Sequence, residues 1–201
     1  MIEIENYIEN IRTKFPKADS LQPWEFINNL EDILVESIKT LDSNYTIENN
    51  IAIHKTATIE QGVIFKGTII ISENCFVGAH AYLRGPIFMG NSVKVGPGSE
   101  IKQSVIFDNS AIAHFNYIGN SIIGENINFE AGSICANHFN EKPDKQIFII
   151  HNNQIIDTKT EKFGSLVGDN SKIGANAVLS PGTILEKNSI VKRLELIEQT
   201  K

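Results

Sequence analysis

The chain has 201 residues, a formal net charge of −6, 41% apolar and 21% charged residues, which suits one soluble domain or one domain with an appendage. The acidic balance excludes a nucleic-acid-binding stripe, no run approaches the ~18–20 apolar residues of a membrane span, and the alternating acidic and apolar residues of Met1–Asn10 are not a signal peptide. Cys75 and Cys135, the two cysteines, form no CxxC and read as reduced packing residues of a cytoplasmic protein without structural zinc.

In chain order, Ile4, Ile8, Ile11 and Phe15 have the spacing of a short amphipathic helix that stops before Pro16. Pro23 is a good first helical position, and Phe26, Ile27, Leu30, Ile33, Leu34 and Ile38 predict a second helix running to about Leu41. Asp42–Asn50 reads as a polar linker. The region 1–50 is thus expected to be a helical unit that caps or flanks the rest of the chain.

From Ile51 the pattern changes. Ile53, Ile59, Phe65, Ile71, Val77, Leu83, Met89, Val95, Ile101 and Phe107 recur every six residues. A small or β-branched residue follows each of them four positions on, from Ala57, Val63 and Ile69 to Val105 and Ala111. Period six fits neither a helical face nor an alternating strand; it is the signature of a parallel β-helix with triangular coils. The predicted fold is therefore an all-β solenoid of hexapeptide repeats over 51–201, and the register is expected to hold without a slip to Phe107. Ala113, Ile118 and Ile123 are five apart, which predicts two shortened sides, and six-residue spacing resumes at Phe129 and Cys135. It breaks after Asn137 and returns at Val167, Ile173, Leu179, Leu185 and Val191. The interval 137–166 reads as an excursion from a coil, with a β-hairpin of Ile147–Ile150 and Gln154–Asp157 around Asn152 and Asn153. Long excursions from a regular scaffold tend to carry function.

Of the five histidines, His54, His80, His114, His138 and His151, His114 is the best placed. It lies in the shortened stretch, three residues before Tyr117, and its ring is expected on the outer wall or at a coil edge. Imidazole suits proton abstraction near neutral pH. No two histidines have the five-residue spacing used by metal-binding solenoids of this architecture, so a metal enzyme is not expected.

The series Ala81-Tyr-Leu-Arg-Gly-Pro86, Glu100-Ile-Lys-Gln-Ser104, His114-Phe-Asn-Tyr-Ile-Gly119, Gly124-Glu-Asn-Ile-Asn-Phe129 and Ala136-Asn137, followed by Asp157-Thr158 and Lys162-Phe-Gly-Ser-Leu-Val-Gly-Asp169, resembles the left-handed β-helix acetyltransferase domain of bifunctional sugar-1-phosphate nucleotidylyltransferases. The bacterial glucosamine-1-phosphate enzymes belong to that group, and the archaeal-type ones are closer. The resemblance runs from about Ile51 to Val191. It implies a left-handed coil, an exception to the usual right-handed crossover, and a homotrimer with sites in the grooves between neighbouring solenoids. It also implies acetyl-CoA as co-substrate and an amino-sugar phosphate such as glucosamine-1-phosphate as acceptor.

By resemblance, His114 is the general base, with Tyr117 and Asn137 as its catalytic partners. Arg84 and Lys102 bind the sugar's phosphate, which guanidinium geometry favours. Asn128 lies near the amine. Lys142 and Lys145 match two lysines of the family if one residue is deleted. Ala131 and Ala175 leave room for the coenzyme. Three departures stand out: the first fifty residues hold no Gly-rich nucleotide-binding segment, Glu130 stands where the family has glycine, and His138-Phe-Asn replaces the usual continuation after Asn137. The chain also stops sooner after Val191 than bacterial members do. A non-catalytic assembly or sugar-nucleotide-sensing module is the alternative reading.

Overall fold

The computed structural model describes residues 2–16 and 18–200; Met1 and Lys201, the outer bounds of the two expected regions, lie outside them, as does Lys17. The chain from Ile51 winds into a parallel β-solenoid, the architecture of a left-handed β-helix of hexapeptide repeats. Each coil has three faces. Face 1 stacks Ile51–His54, Ile69–Ile71, the ends of Tyr82–Met89 and Glu100–Ile106, Ile122–Ile123, Ser165–Val167 and Thr183–Leu185. Face 2 stacks Thr58–Ile59, Phe76–Val77, Lys94–Val95, Ala111–Ile112, Asn128–Phe129, Lys172–Ile173 and Ile190–Val191. Face 3 stacks Ile64–Lys66, the starts of Tyr82–Met89 and Glu100–Ile106, Tyr117–Gly119, Ile134–Cys135, Val178–Leu179 and Leu196–Ile197.

The inward column includes Val77, Leu83, Met89, Val95, Ile101, Phe129, Cys135, Ile173 and Leu179, all buried. Each fully buried side chain of this size contributes about 1.5–3 kcal/mol. Both cysteines are free and buried, and burial pushes the Cys75 thiol up to about 11.

The register does slip before Phe107. Met89 pairs with Ile106, not with Phe107, after a shift between Arg84 and Ile87. Ile106 therefore enters the coil, and Phe107 turns outward to meet Phe15 edge-on at 6.1 Å. The column continues through Ile112, which pairs with Val95 and Phe129, so Ala113 is not an inward residue. The five-residue sides are Ile101 to Ile106 and Ile118 to Ile123. Both shorten the corner between faces 3 and 1, where Gln103 and Asn120 take positive φ of 43° and 47°.

The corner between faces 1 and 2 is equally regular. Asn74, Asn109, Asn126, Asn170 and Asn188 hold φ of 55–63° there, a left-handed turn that Asn tolerates better than other residues with a Cβ.

The N-terminal region flanks the solenoid. It lies on face 1, whose outward ladder of Ala52, Ile70, Phe88, Val105, Ile122, Leu166 and Ile184 shares one core with Phe15, Phe26, Ile27, Leu30 and Leu34. The first expected helix is only a 3₁₀ turn, Ile4–Asn6, and a short helix, Ile11–Lys14. The second is divided into Pro23–Asn28 and Leu30–Ile38 at Asn29, whose φ of −92° and ψ of 3° depart from helical geometry. The expected linker contains a strand, Tyr45–Glu48, antiparallel to Ile51–His54.

Asp169 ties this region down. It is buried, its Oδ2 accepts the Glu9 N–H at 2.9 Å, and its Oδ1 accepts the Glu125 N–H at 2.8 Å. Asp169→Ala strands both donors and is expected to cost about 2 kcal/mol, read as a fall of roughly 4–8 °C in the thermal midpoint.

The excursion leaves after Asn137 and returns at Phe163, where the Phe163 N–H bonds the Asn137 carbonyl at 3.1 Å. Its hairpin, Phe148–His151 with Gln154–Asp157, turns on Asn152 and Asn153, both at positive φ. Phe139, Ile147, Ile149 and Phe163 fold back into the face 1 core.

Candidate active site

The outward residues of face 3 form two columns. One runs Ile64, Tyr82, Glu100, Tyr117, Ile134; the other runs Lys66, Arg84, Lys102, Gly119. Stacking thus brings Arg84 and Lys102 onto adjacent rungs about 4.8 Å apart. Glu100 pairs with Arg84 at 2.7 Å. Lys102 is held below its ordinary pKa, first by burial, then by Lys162 and Arg84.

Tyr117 leans along its strand over Gly119, where an added Cβ would meet its hydroxyl at 2.7 Å. That hydroxyl donates to Asn137 Oδ1 at 3.2 Å. Burial raises the phenol pKa, and Glu100 raises it further. Asn137 Nδ2 donates to the buried Asn120 Oδ1 at 2.6 Å, which fixes the amide's orientation. Arg84, Lys102, Tyr117 and Asn137 are therefore one constellation at the edge of face 3 toward face 1.

His114 sits at the other edge. The corner between faces 2 and 3 is laced by backbone bonds from Phe115 to Pro97, Gly132 to His114, Asn176 to Ala131 and Leu194 to Ala175. His114, Ala131, Ala175 and Arg193 consequently occupy equivalent corner positions on successive coils. This brings the expected base into line with both expected coenzyme positions. The His114 side chain is exposed and has no side-chain hydrogen bond among the described residues. Phe115, 72% exposed, is held at φ 55° beside it, a conformation costly for a bulky residue.

The remaining expected residues lie elsewhere. Asn128 is on face 2, in a groove of about 530 Å³ that it shares with Glu130, Lys172, Gly174, Lys192 and Arg193. Glu130 is not a loose negative charge: Arg193 donates to its two oxygens at 2.9 and 3.1 Å, and it accepts the Ala175 N–H at 2.9 Å. Those bonds hold its carboxyl below the usual range. Glu60 does the same for the Ala79 N–H at 2.7 Å, so a corner carboxylate capping the next coil is a recurrent device of this fold.

Lys142 lies 3.6 Å over the Phe139 ring, and Lys145 is exposed, both on the outgoing limb of the excursion. The lysine that couples to Lys102 is Lys162, on the returning limb. Spacing after Asn137 could not find it, although it opens the Lys-Phe-Gly segment at which the chain re-enters the coil. Among the described residues, no group of three His, Cys, Asp or Glu is placed to hold a metal ion.

In comparison with known proteins, residues 65–139 match the model of the GMPPB C-terminal domain and residues 166–192 that of the hexapeptide repeat of succinyl-transferase. Curated relatives include the bifunctional protein GlmU of Methanococcus vannielii, 34% identical over 85% of this chain and 41% of that protein. The GlmU protein of Methanocaldococcus jannaschii is 33% identical over 97% and 48%. A bifunctional sugar-1-phosphate nucleotidylyltransferase/acetyltransferase of Sulfurisphaera tokodaii is 29% identical over 90% and 44%. The chain thus spans less than half the length of these relatives.

Proposed function

From a chain of the left-handed β-helix hexapeptide-repeat family, related to the C-terminal region of bifunctional sugar-1-phosphate nucleotidylyltransferase/acetyltransferases, we propose transfer of an acetyl group from acetyl-CoA to the amine of a sugar phosphate such as glucosamine-1-phosphate. The observation that carries this reading is the cationic cluster of Arg84, Lys102 and Lys162 beside the hydrogen-bonded Tyr117–Asn137 pair, on the face that borders His114.

In this reading Arg84 and Lys102 hold the phosphate, Arg84 through its planar fork. The amine faces His114, which takes its proton as nitrogen attacks the thioester carbonyl. The carbonyl π electrons move to oxygen, and hydrogen-bond donors stabilise the oxyanion. Collapse expels the thiolate, which is protonated to the free thiol. The small side chains of Ala131 and Ala175 leave room for the donor's thiol arm at the corner that the Glu130–Arg193 pair flanks. The anion cluster and the His114 corner lie at opposite edges of face 3, and a second copy laid against this face, as in a homotrimer, would close them into one groove.

The test is thiol release from acetyl-CoA with glucosamine-1-phosphate, galactosamine-1-phosphate and unphosphorylated glucosamine. Release that depends on phosphorylation is expected. Binding of sugar phosphate without release would return the non-catalytic module. Lys162→Ala is expected to raise KM for the sugar phosphate about tenfold, the loss of one charge-assisted contact, with kcat little changed. Lys142→Ala and Lys145→Ala should leave KM within about twofold; a larger effect from either would move the phosphate to the outgoing limb.

A further inference from the structure

The cationic column on face 3 is longer than one phosphate requires. Lys66, Arg84 and Lys102 stand in register on three successive rungs, and the fourth rung is Gly119. The Lys66 ammonium lies 5.3 Å from the Tyr82 ring centroid, and the Arg84 guanidinium lies 5.5 Å from the same centroid. One aromatic ring thus seats both cations, each on its own rung. Glu100 answers Arg84, and among the described residues neither Lys66 nor Lys102 has a carboxylate partner.

Like charges on neighbouring strands destabilise a sheet. A chain of net charge −6 nevertheless stacks Lys66, Arg84 and Lys102 on successive rungs, with Lys162 near Lys102 and Glu100 pairing with Arg84 alone among them. Rungs ~4.8 Å apart put the first and third roughly 10 Å from each other, wider than a single phosphate. On the Lys66 rung, Ile64 is 54% exposed next to Tyr82 in the adjoining column, an apolar shelf beside the last cation.

We propose that face 3 also binds a sugar carried on a diphosphate. The sugar-linked phosphate lies between Arg84 and Lys102, the second phosphate between Lys66 and Arg84, and the group it carries turns across the Lys66 rung onto Ile64. This rests on the phosphate placement proposed above and adds Lys66 to it. Such a ligand arises when a sugar 1-phosphate oxygen attacks a nucleoside triphosphate and pyrophosphate leaves. Because both ligands need Arg84 and Lys102, the diphosphate sugar competes with the sugar phosphate.

The experiment is calorimetric titration of the full chain with two probes, N-acetylglucosamine 1-phosphate and UDP-N-acetylglucosamine. The wild type is expected to bind the diphosphate about tenfold more tightly. Lys66→Ala should erase that advantage and leave the monophosphate unchanged, Lys66→Arg should keep it, and Arg84→Ala should weaken both. Monophosphate binding with no selective effect of Lys66→Ala overturns this inference alone. Failure of the wild type to bind either probe overturns it together with the phosphate placement.

Discussion

Replacing His114 with Ala is expected to lower kcat for acetyl transfer by about 10²–10⁴-fold, the usual worth of a positioned general base. The side chain is exposed and makes no side-chain hydrogen bond among the described residues. What holds the corner together there is backbone: the His114 carbonyl accepts the Gly132 N–H at 3.0 Å, and the Phe115 N–H reaches Pro97 O at 3.1 Å. Truncation at Cβ removes neither bond. The thermal midpoint should therefore stay within about 2 °C of wild type, since exposed substitutions away from such features rarely exceed 0.5 kcal/mol. Steady-state kinetics with glucosamine-1-phosphate, beside a melting curve, separates the two effects. A pH–rate profile adds a readout that mere structure would not move: the acid limb of the wild type should be missing from the residual rate. Turnover in the variant within about tenfold of wild type would remove His114 from the chemistry.

Much of the fold was legible because the inward column is a repeat of shape. A coil interior accepts only apolar residues at fixed spacing, and Val77 through Ile101 report that directly. The slip at Gln103 was not legible, since Ile106 and Phe107 are both apolar and adjacent, and the outward Phe107 packs on Phe15 and Phe88, which lie on different elements. Within the site, Arg84, Lys102, Tyr117 and Asn137 came together because they lie on successive coils of a regular ladder. Lys162 did not, because a long excursion separates it from Asn137 in sequence and the closing bond between Phe163 and Asn137 joins them in space. Glu130 reads as an obstacle in the sequence because Arg193, the residue that neutralises it, lies more than three coils' worth of chain away.

The corner that carries Glu130 also holds the position where the fold tolerates least. Glu60, Gly78, Gly96, Ala113, Glu130, Gly174 and Lys192 each follow an inward residue and donate or stack along one edge of the prism. At Gly96 an added Cβ would lie 1.4 Å from the Ala113 carbonyl oxygen, against 2.6 Å at Gly78 and 2.5 Å at Gly174 from backbone nitrogens. Gly96 is not at positive φ, so the bar is purely steric, and a backbone carbonyl cannot swing aside as a side chain can. Gly96→Ala is expected to destabilise the chain by about 3 kcal/mol or more, a fall of roughly 6–12 °C in the thermal midpoint. Ala113→Gly, in the next coil of the same column, removes a Cβ that already has room and should cost about 1 kcal/mol or less. The displaced carbonyl belongs to the residue before His114, so Gly96→Ala should also depress acetyl transfer at temperatures where the chain is still folded. A thermal midpoint within about 2 °C of wild type would mean that the coils at this corner sit further apart than the ladder of Lys94–Val95 on Ala111–Ile112 places them.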